Sequence, residues 1–341
     1  MKISTAINMA ALCISAAIAA GCSRGAVPPN AMQASRAESL GAMLSGTALA
    51  PQAPSIPRLL YLSDATSPQL DVYDYQTRTL LGTITGVASP YGECVDGTGN
   101  VYVAQFAGGV IEFAHGGSKP IGHFNTDGYT MGCSVDKQGD VAAGIFQTQS
   151  GGQGDVEVFP HGGGTPKRFT SNDCYFDWPP GYDDKGNLFV EGLNGGTPHV
   201  CELRAGSATL RTLTTRVPLG YPGSVMWDGK YVALTDQNYQ KSNQTAIEEV
   251  MQDRGVLDAV NIAILSGACV SGSSAVMQPF MVGLRNTPNN TVVANAVVGG
   301  DGWCNRFASG TDIWYYPAGG NPRRVLANST FANGASVSIA P

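Results

Sequence analysis

The chain has 341 residues, of which 13% are charged and 44 are glycine, and its formal net charge is −6. Ordinary soluble domains carry about 25% charged residues and about 7% glycine, so this composition argues against coiled coils, helical bundles and charged disordered proteins. The negative charge and the absence of any basic run argue against a nucleic-acid partner, because binding to phosphates needs clustered cations.

Residues 1–21 are predicted to be a signal peptide. Lys2 supplies a positive start, and the apolar stretch 6–20 is too short to span a bilayer. This stretch ends in Ala19-Ala20-Gly21-Cys22, which resembles the lipobox of bacterial lipoproteins, although Ala19 stands where that motif usually has Leu. The resemblance implies cleavage before Cys22 and attachment of a diacylglycerol to its thiol. Ordinary signal cleavage, with Cys22 as a bystander, is the alternative.

Residues 22–57 are predicted to be a flexible tether, since they are rich in Ala, Ser, Pro, Gln and Met and lack strand alternation. Residue 23 is Ser rather than Asp, which resembles the outer-membrane sorting signal of enterobacteria. We therefore expect an extracytoplasmic protein of the cell envelope that is held at a membrane, with the outer membrane favoured, by a lipid on Cys22.

A repeated phrase runs through residues 58–341. Its first half is an apolar strand that ends in Asp, a Gly turn and a departing strand, as in Cys94-Val95-Asp96-Gly97-Thr98-Gly99-Asn100-Val101. Its second half appears as Val110-Ile111-Glu112-Phe113-Ala114-His115-Gly116-Gly117 and again as Val156-Glu157-Val158-Phe159-Pro160-His161-Gly162-Gly163. Each unit therefore contains four short antiparallel strands, and this strand count and period are typical of a β-propeller blade.

Six blades are predicted, and a seventh is the alternative if residues 241–277 contain an additional one. Five are continuous, and the fifth of the ring includes a stretch, 241–260, that we expect to be irregular. The continuous blades are 90–124, 130–170, 178–214, 222–268 and 278–327. The remaining blade is split, because residues 58–86 supply three strands without an opening one. We expect the C-terminal strand 333–340 to complete it and so to close the ring, which removes exposed strand edges.

The phrase Pro90-Tyr91-Gly92-Glu93-Cys94-Val95-Asp96, with the strands that follow it, looks like an NHL repeat. More broadly, residues 58–341 resemble the six-bladed superfamily that includes gluconolactonases. Gln105 stands where the repeat usually has Asp, and the usual Asn-x-Arg before the third strand is missing. The resemblance implies an all-β, six-bladed propeller. It does not imply one activity, because propellers serve as enzymes, receptors and scaffolds.

Six cysteines remain after Cys13 leaves with the signal peptide and Cys22 is used as the anchor, and an even number in an exported chain indicates disulfides. Cys94 and Cys133 lie on opening strands of neighbouring blades, one position apart in the aligned phrase. Their side chains therefore point towards each other across the two blades. Neighbourhood in the chain favours the pairs Cys174–Cys201 and Cys269–Cys304. Free buried thiols are the alternative, and no C-x-x-C motif indicates a metal site.

The four histidines indicate no catalytic site. His115 and His161 occupy the same repeat position before a Gly-Gly turn, whereas His123 and His199 lie in different blades. No G-x-S-x-G motif occurs, and the Gly-rich segments are not followed by a helix or by Lys-Ser/Thr. No catalytic residue is therefore assigned.

A lactonase-like hydrolase is the enzyme alternative. Members of that family hold one divalent cation in the central channel with a Glu, two Asn and an Asp, and such oxygen ligands suit calcium. Acidic or amide residues expected near the channel ends are Glu93, Asp173, Asn194, Asp236, Asn238 and Asp301. None lies in a motif that matches the family's ligands, so no metal ligand is assigned and no cofactor is expected outside this alternative.

Repeated and aromatic residues complete the prediction. Asp96, Asp136 and Asp184 recur at the turn of the repeat and are expected to be structural. Aromatic residues expected at the blade entrances, where they would line a ligand mouth or fill the space between blades, are Trp178, Trp227, Trp303 and Tyr221. We therefore expect a tethered propeller that binds a protein partner or an extracellular polymer with its loops.

Overall fold

The computed structural model describes residues 49–64, 67–161, 163–240, 244–266, 277–287, 290–300, 310–327 and 332–341. Within them the chain forms six small sheets, arranged as a six-bladed β-propeller, and a short 3-10 helix at Ala53–Ser55. The part of the chain described contains no helix that is long and apolar enough to cross a membrane. Several predicted features lie outside the described residues: the signal peptide, most of the tether, Cys22, Cys269, Asp301, Trp303 and Cys304.

The first three blades follow the predicted pattern of strands. Blade one contains β1 (Arg58–Asp64), β2 (Gln69–Asp74) and β3 (Leu80–Thr85). Blade two contains β4 (Pro90–Val95), β5 (Val101–Gln105), β6 (Gly109–Phe113) and β7 (Pro120–Phe124). Blade three contains β8 (Gly128–Val135), β9 (Val141–Thr148), β10 (Gln153–Phe159) and β11 (Lys167–Phe169).

Blade four has an interrupted opening strand, because two prolines at 179 and 180 separate its halves. Its strands are β12 (Phe176–Asp177), β13 (Gly181–Tyr182), β14 (Leu188–Asn194), β15 (Thr197–Leu203) and β16 (Leu210–Thr212). The following short strand, β17 (Thr214–Thr215), pairs in parallel with the outer strand of blade five. Proline cannot donate to a strand ladder, which explains the interruption.

Blade five corrects one expectation from the sequence. Its strands are β18 (Val225–Trp227), β19 (Val232–Tyr239), β20 (Gln244–Asp253) and β21 (Val256–Leu265). The stretch 241–260, expected to be irregular, is from residue 244 onward a regular hairpin of two long strands. Acidic residues Glu248 and Glu249, both buried, interrupt the apolar alternation by which a strand is recognised. The hairpin belongs to blade five, so no seventh blade is formed within the described part of 241–277.

Blade six and the closing strand complete the ring. Blade six contains β22 (Met277–Asn286), β23 (Val292–Gly300), β24 (Gly310–Tyr315) and β25 (Arg324–Ala327). The last strand, β26 (Ala332–Ile339), pairs antiparallel with β1, from Arg58 opposite Ile339 to Asp64 opposite Ala332. The predicted closure is therefore confirmed, and blade one becomes a four-stranded sheet like its neighbours.

The hydrophobic core lies between the blades rather than inside one layer. Leu60 and Val337 of blade one pack in a cluster with Ile313 of blade six, whereas Leu59 faces the other way and packs with Val101 of blade two. Successive residues of a strand point to opposite faces, so each blade is apolar on both sides. This explains why the strands read as continuous apolar runs in the sequence.

The repeated turns are stabilised by aspartates that accept backbone hydrogen bonds. Asp96 Oδ1 accepts from the amides of Thr98 and Asn100, both at 2.9 Å, and Gly99 supplies the positive φ of 90° that the turn requires. Asp136 and Asp228 do the same in blades three and five. In blade four the capping residue is Asp183 rather than the predicted Asp184.

Neighbouring opening strands approach each other closely near the channel. A Cβ added to Gly92 of β4 would lie 2.4 Å from the carbonyl oxygen of Met131 in β8. Only glycine permits this approach, since real Cβ atoms do not come so near to backbone oxygen.

Two of the three predicted disulfides are confirmed. Cys94 of β4 and Cys133 of β8 are bonded, with a Cα–Cα distance of 5.5 Å, and this bond joins blades two and three. Cys174, just before β12, is bonded to Cys201 of β15, with a Cα–Cα distance of 6.4 Å. The pairing of Cys269 with Cys304 stays a prediction.

Candidate functional site

The propeller has two faces that differ in the loops they carry. The connections between blades and the loops between second and third strands form what we call the mouth face, which includes residues 106–108, 125–127, 149–152, 170–175, 195–196 and 216–224. The remaining hairpins form the hairpin face, which includes residues 96–100, 114–119, 136–140, 160–166 and 183–187. The central channel runs between the two faces.

The channel is narrow and mostly apolar. Its described lining comes from the opening strands of all six blades and includes Cys94, Cys133, Tyr182, Val225, Met281 and Val337. The free volume inside it is about 60 Å³, which admits a few water molecules. Sites for small ligands are typically about 300–1,000 Å³. The channel is therefore too small to hold an organic substrate.

Glu93 is the one carboxylate among the described residues that line the channel. Its Oε1 accepts a hydrogen bond from Ser63 Oγ and its Oε2 accepts one from Ser336 Oγ, both at 2.7 Å. Burial raises the pKa of Glu93 to about 7, and the two serine hydrogen bonds oppose this rise. Because Ser63 lies on β1 and Ser336 on β26, the side chain of Glu93 fastens the closing strand to blade two.

The other residues considered for a metal site do not line the channel with Glu93. Asp173 accepts a hydrogen bond from Thr212 Oγ1 at 2.7 Å, and Asn194 is exposed. Asp236 accepts from the backbone amides of Gly220, Tyr221 and Asn238. In the described part of the chain no group of three His, Cys, Asp or Glu side chains is arranged to hold a metal ion. The described channel residues therefore do not fit the four-ligand cation site that the gluconolactonase resemblance implies.

Two stacked aromatic pairs lie on the mouth face, at successive junctions between blades. Phe106, directly after β5, stacks on Tyr129 of β8 with ring centroids 4.8 Å apart. Phe146 of β9 stacks on Phe176 of β12 with ring centroids 4.7 Å apart. In each pair one ring comes from the loop end of the preceding blade, and the other comes from the start of the next blade.

The two pairs occupy equivalent positions in the repeat. Val101 lies opposite Val95 in blade two, and Val141 lies opposite Val135 in blade three. Phe106 and Phe146 follow these valines at the same distance along the chain. Tyr129 and Phe176 likewise precede the ends of their opening strands by the same number of residues. The stacked pair is therefore a feature of the repeated unit.

A third junction continues the series with one substitution. Leu193 of β14 holds the position of Phe106 and Phe146, and Tyr221 holds the position of Tyr129 and Phe176. Trp178 lies between the second and third junctions, with its ring 5.4 Å from that of Phe146 and 5.5 Å from that of Tyr221. We call the resulting surface the aromatic arc and define it by Phe106, Tyr129, Phe146, Tyr175, Phe176 and Tyr221.

The aromatic arc has a buried floor and a partly exposed surface. Trp178 and Met131 are 4% and 2% exposed, and Leu193 packs with them in one cluster. The six rings that define the arc are all half-buried, so each presents part of its surface to solvent. Such rings offer a large apolar contact area at a small cost in side-chain entropy.

Charged groups near the arc are ion-paired. Arg168 donates to Asp127 at 2.7 Å and to Asp155 at 2.6 Å. Burial raises the pKa of Glu157, which lies beside the same arginine, to about 7. On the blade-five side, Arg216 pairs with Asp258 at 3.1 Å.

Three buried carboxyl groups lie in blades four and five. Burial raises the pKa of Asp177 and of Glu191 well above their ordinary range, and it raises the pKa of Glu248 to about 8. Glu191 and Glu248 also raise each other's pKa by charge repulsion, together with Asp236. The protonated form is therefore favoured, and the interior below the mouth face carries less negative charge than its composition suggests.

The aromatic residues singled out from the sequence are only partly brought together. Trp178 and Tyr221 meet at the arc, where Trp178 is buried as a packing residue. Trp227 instead packs in the cluster between blades four and five. The stacked pairs were missed from the sequence, although the repeated positions of Phe106 and Phe146 were a usable signal.

The histidine at position 115 also has a role that the sequence did not indicate. His115 is buried, its Nε2 lies 2.8 Å from the Ile56 carbonyl oxygen, and its Nδ1 lies 2.6 Å from Ser338 Oγ. Burial lowers the pKa of His115, so the neutral ring is favoured. It connects the segment before β1 to the closing strand and is not free for catalysis.

Known proteins share the fold of this chain. No family model and no curated protein matches its sequence. Solved structures do match. A nidogen/laminin complex aligns with a TM-score of 0.56 and 13% identity, over 83% of this chain and 99% of that one. A protein of unknown function from Bacteroides caccae aligns with a TM-score of 0.57 and 9% identity, also over 83% and 99%.

A gluconolactonase from Xanthomonas campestris is also similar in structure, with a TM-score of 0.49 and 12% identity over 72% of this chain and 80% of that one. This likeness is too distant to bear on activity. The neighbours differ in function, so the comparisons establish the propeller fold and no specific activity.

Proposed function

We propose that the protein is a binding module of the cell envelope, held at the outer membrane by a lipid on Cys22, and that it contacts its partner with the aromatic arc. The observation that carries this proposal is the repeated set of half-buried rings at three successive blade junctions of one face. Half-buried aromatic side chains are enriched where proteins bind partners. The small channel supports the same choice, since it offers no room for a substrate.

The position of the N-terminal segment supports an outward-facing arc. Residues 49–57 pack against the propeller near the hairpin face, where a Cβ on Gly116 would lie 2.6 Å from backbone atoms of Ala53 and Pro54. The Ala50 amide donates to the carbonyl of Leu81 at 2.9 Å. A tether that enters on this side would hold the hairpin face towards the membrane and leave the mouth face free.

Retention of envelope components by the purified protein tests this proposal. The mature chain carrying Cys22→Ser is immobilised and exposed to detergent-solubilised envelope extract. The arc variant is Tyr129→Ser, and the matched control is Tyr315→Ser, which removes a tyrosine that is 46% exposed at the far end of β24.

We expect a component that is retained by the parent and by the control but lost from the arc variant. Thermal unfolding of all three proteins checks that they are folded. Equal retention by the arc variant and the control would contradict a binding role for the arc.

A further inference from the structure

The ligand class follows from the repetition and charge of the aromatic arc, and the inference rests on the proposed function. We propose that the arc binds a linear, neutral polysaccharide, whose sugar rings stack on the aromatic side chains of successive blade junctions. The apolar faces of pyranose rings match the flat faces of Phe and Tyr, while their hydroxyl groups need hydrogen-bond partners at the edges.

Repetition points to a polymer. The junctions of blades two and three, three and four, and four and five each place one ring from an opening strand on the mouth face: Tyr129, Phe176 and Tyr221. Equivalent positions in a propeller are related by the rotation between blades, so the three rings form a series of similar subsites. A ligand made of repeated units can occupy such a series, and each added unit strengthens binding.

The shape of the surface favours an extended ligand over a small one. Two cavities, with volumes of about 330 and 290 Å³, are lined by hairpin-face residues that include Lys137 and Lys230 respectively. Neither is lined by a residue of the aromatic arc. The rings of the arc instead line up across blades, as a chain lying on the surface requires.

Charge favours a neutral ligand. Arg168 is occupied by Asp127 and Asp155, and Arg216 by Asp258, so these cations are already neutralised. A polyanion would have to compete with these carboxylates. A polycation would find its carboxylate partners engaged with Arg168, and the buried acids Glu191 and Glu248 favour their protonated forms.

Exposed amide and hydroxyl groups lie beside the rings. Gln149 is exposed in the loop that follows Phe146, and Asn194 and Thr197 are exposed in the loop that follows Leu193. These groups both donate and accept hydrogen bonds, as recognition of sugar hydroxyls requires. Neutral polar side chains next to aromatic rings are the combination that a neutral glycan needs.

Affinity gel electrophoresis tests the inference. The mature Cys22→Ser chain is run in native gels that contain a soluble β-1,3-glucan, xylan, hydroxyethyl cellulose or, as a polyanion, alginate. The arc variants are Tyr129→Ser and, as an independent substitution, Tyr175→Ser. The matched control is Tyr315→Ser, and thermal unfolding shows which variants are folded.

We expect at least one neutral polymer to retard the parent and the control, and a folded arc variant to bind it about tenfold more weakly, the upper range for loss of one ring contact. In solution, oligosaccharides of the same polymer should bind more tightly as they lengthen, because a longer chain reaches further junctions.

Each contrary result has a defined meaning. Absence of retardation by every neutral polymer, retardation by alginate alone, equal retardation of the folded arc variants, or affinity that does not rise with oligosaccharide length would overturn the inference. If envelope components are nevertheless retained in a Tyr129-dependent manner, the proposed binding function stands with another ligand class. If that retention also fails, both proposals fall.

Discussion

At the scale of single residues, Glu93 links the chemistry of the channel to the closure of the ring. It is buried, it accepts hydrogen bonds from Ser63 and Ser336, and its pKa is raised to about 7. The same side chain was the best candidate for a metal ligand in the sequence. Both of its oxygens are engaged in holding β1 and β26 next to blade two, so we interpret its role as structural.

The raised pKa predicts how stability depends on pH. The folded state retains the Glu93 proton up to about pH 7, whereas the unfolded chain releases it near 4.5. The stability associated with this proton is therefore complete below pH 4.5 and is lost as pH rises through 7. The loss amounts to at most about 3 kcal/mol. Glu93→Gln does not titrate, so its free energy of unfolding should increase relative to the parent between pH 5 and pH 8.

Guanidinium unfolding of the parent and of Glu93→Gln at pH 5 and pH 8, followed by tryptophan fluorescence, measures this difference. A difference between the two proteins that is the same at both pH values would show that Glu93 is ionised in the folded protein, contrary to our account.

Some residue contacts were predictable and others were not. The bond between Cys94 and Cys133 followed from the sequence, because strand parity fixes which face each sulfur occupies and the repeat fixes which strands are neighbours. The stack of Phe106 on Tyr129 did not follow, since it depends on how two loops approach each other. His115 was missed for the same reason: its partners, Ile56 and Ser338, come from distant parts of the chain.

At the scale of elements, the disulfides join parts of the ring that other contacts hold together less directly. Cys94–Cys133 ties the opening strands of blades two and three, which belong to separate sheets. Cys174–Cys201 ties the connection before blade four to the third strand of that blade. Both bonds close loops within the chain, and they therefore reduce the freedom of the unfolded state.

Removal of the inter-blade bond should lower stability markedly. Closing a loop of 39 residues stabilises a protein by about 4 kcal/mol in the chain-entropy treatment. We expect the double variant Cys94→Ala/Cys133→Ala to lose about this free energy of unfolding while it retains the sheet content of the parent. Guanidinium unfolding measures the loss.

The double variant Cys174→Ala/Cys201→Ala is the comparison, because its loop of 27 residues should contribute a similar amount. Thiol titration of the unfolded, unreduced parent checks the bonds themselves. Four reactive thiols from these cysteines would contradict the disulfides.

At the scale of the whole molecule, the ring organises function by separating its two faces. The segment 49–57 packs beside Gly116 at the hairpin face, and the aromatic arc lies on the mouth face. The ring and its closure were predictable, because strand number and period are encoded locally and repeated. The arc was not, because a binding surface arises only when loops from several blades come together.

The lipid anchor is tested by fractionation. Cys22→Ser should move the protein from the membrane fraction to the soluble fraction of the cell envelope, since the anchoring energy comes from buried acyl chains. Metabolic labelling with a radioactive fatty acid should mark the parent and leave the variant unlabelled. A parent that carries no label, or a variant that stays with the membrane, would contradict anchoring at Cys22.

The most direct test of the proposed binding surface is hydroxyl-radical footprinting of the native protein in intact envelopes, compared with the purified mature chain. We predict that Tyr129, Tyr175 and Tyr221 of the mouth face are protected in the envelope, whereas exposed residues of the aromatic arc's opposite side, such as Leu80 and Tyr315, lose no more reactivity than membrane proximity causes. Protection confined to the hairpin face, with the three tyrosines as reactive as in the purified chain, would contradict the account.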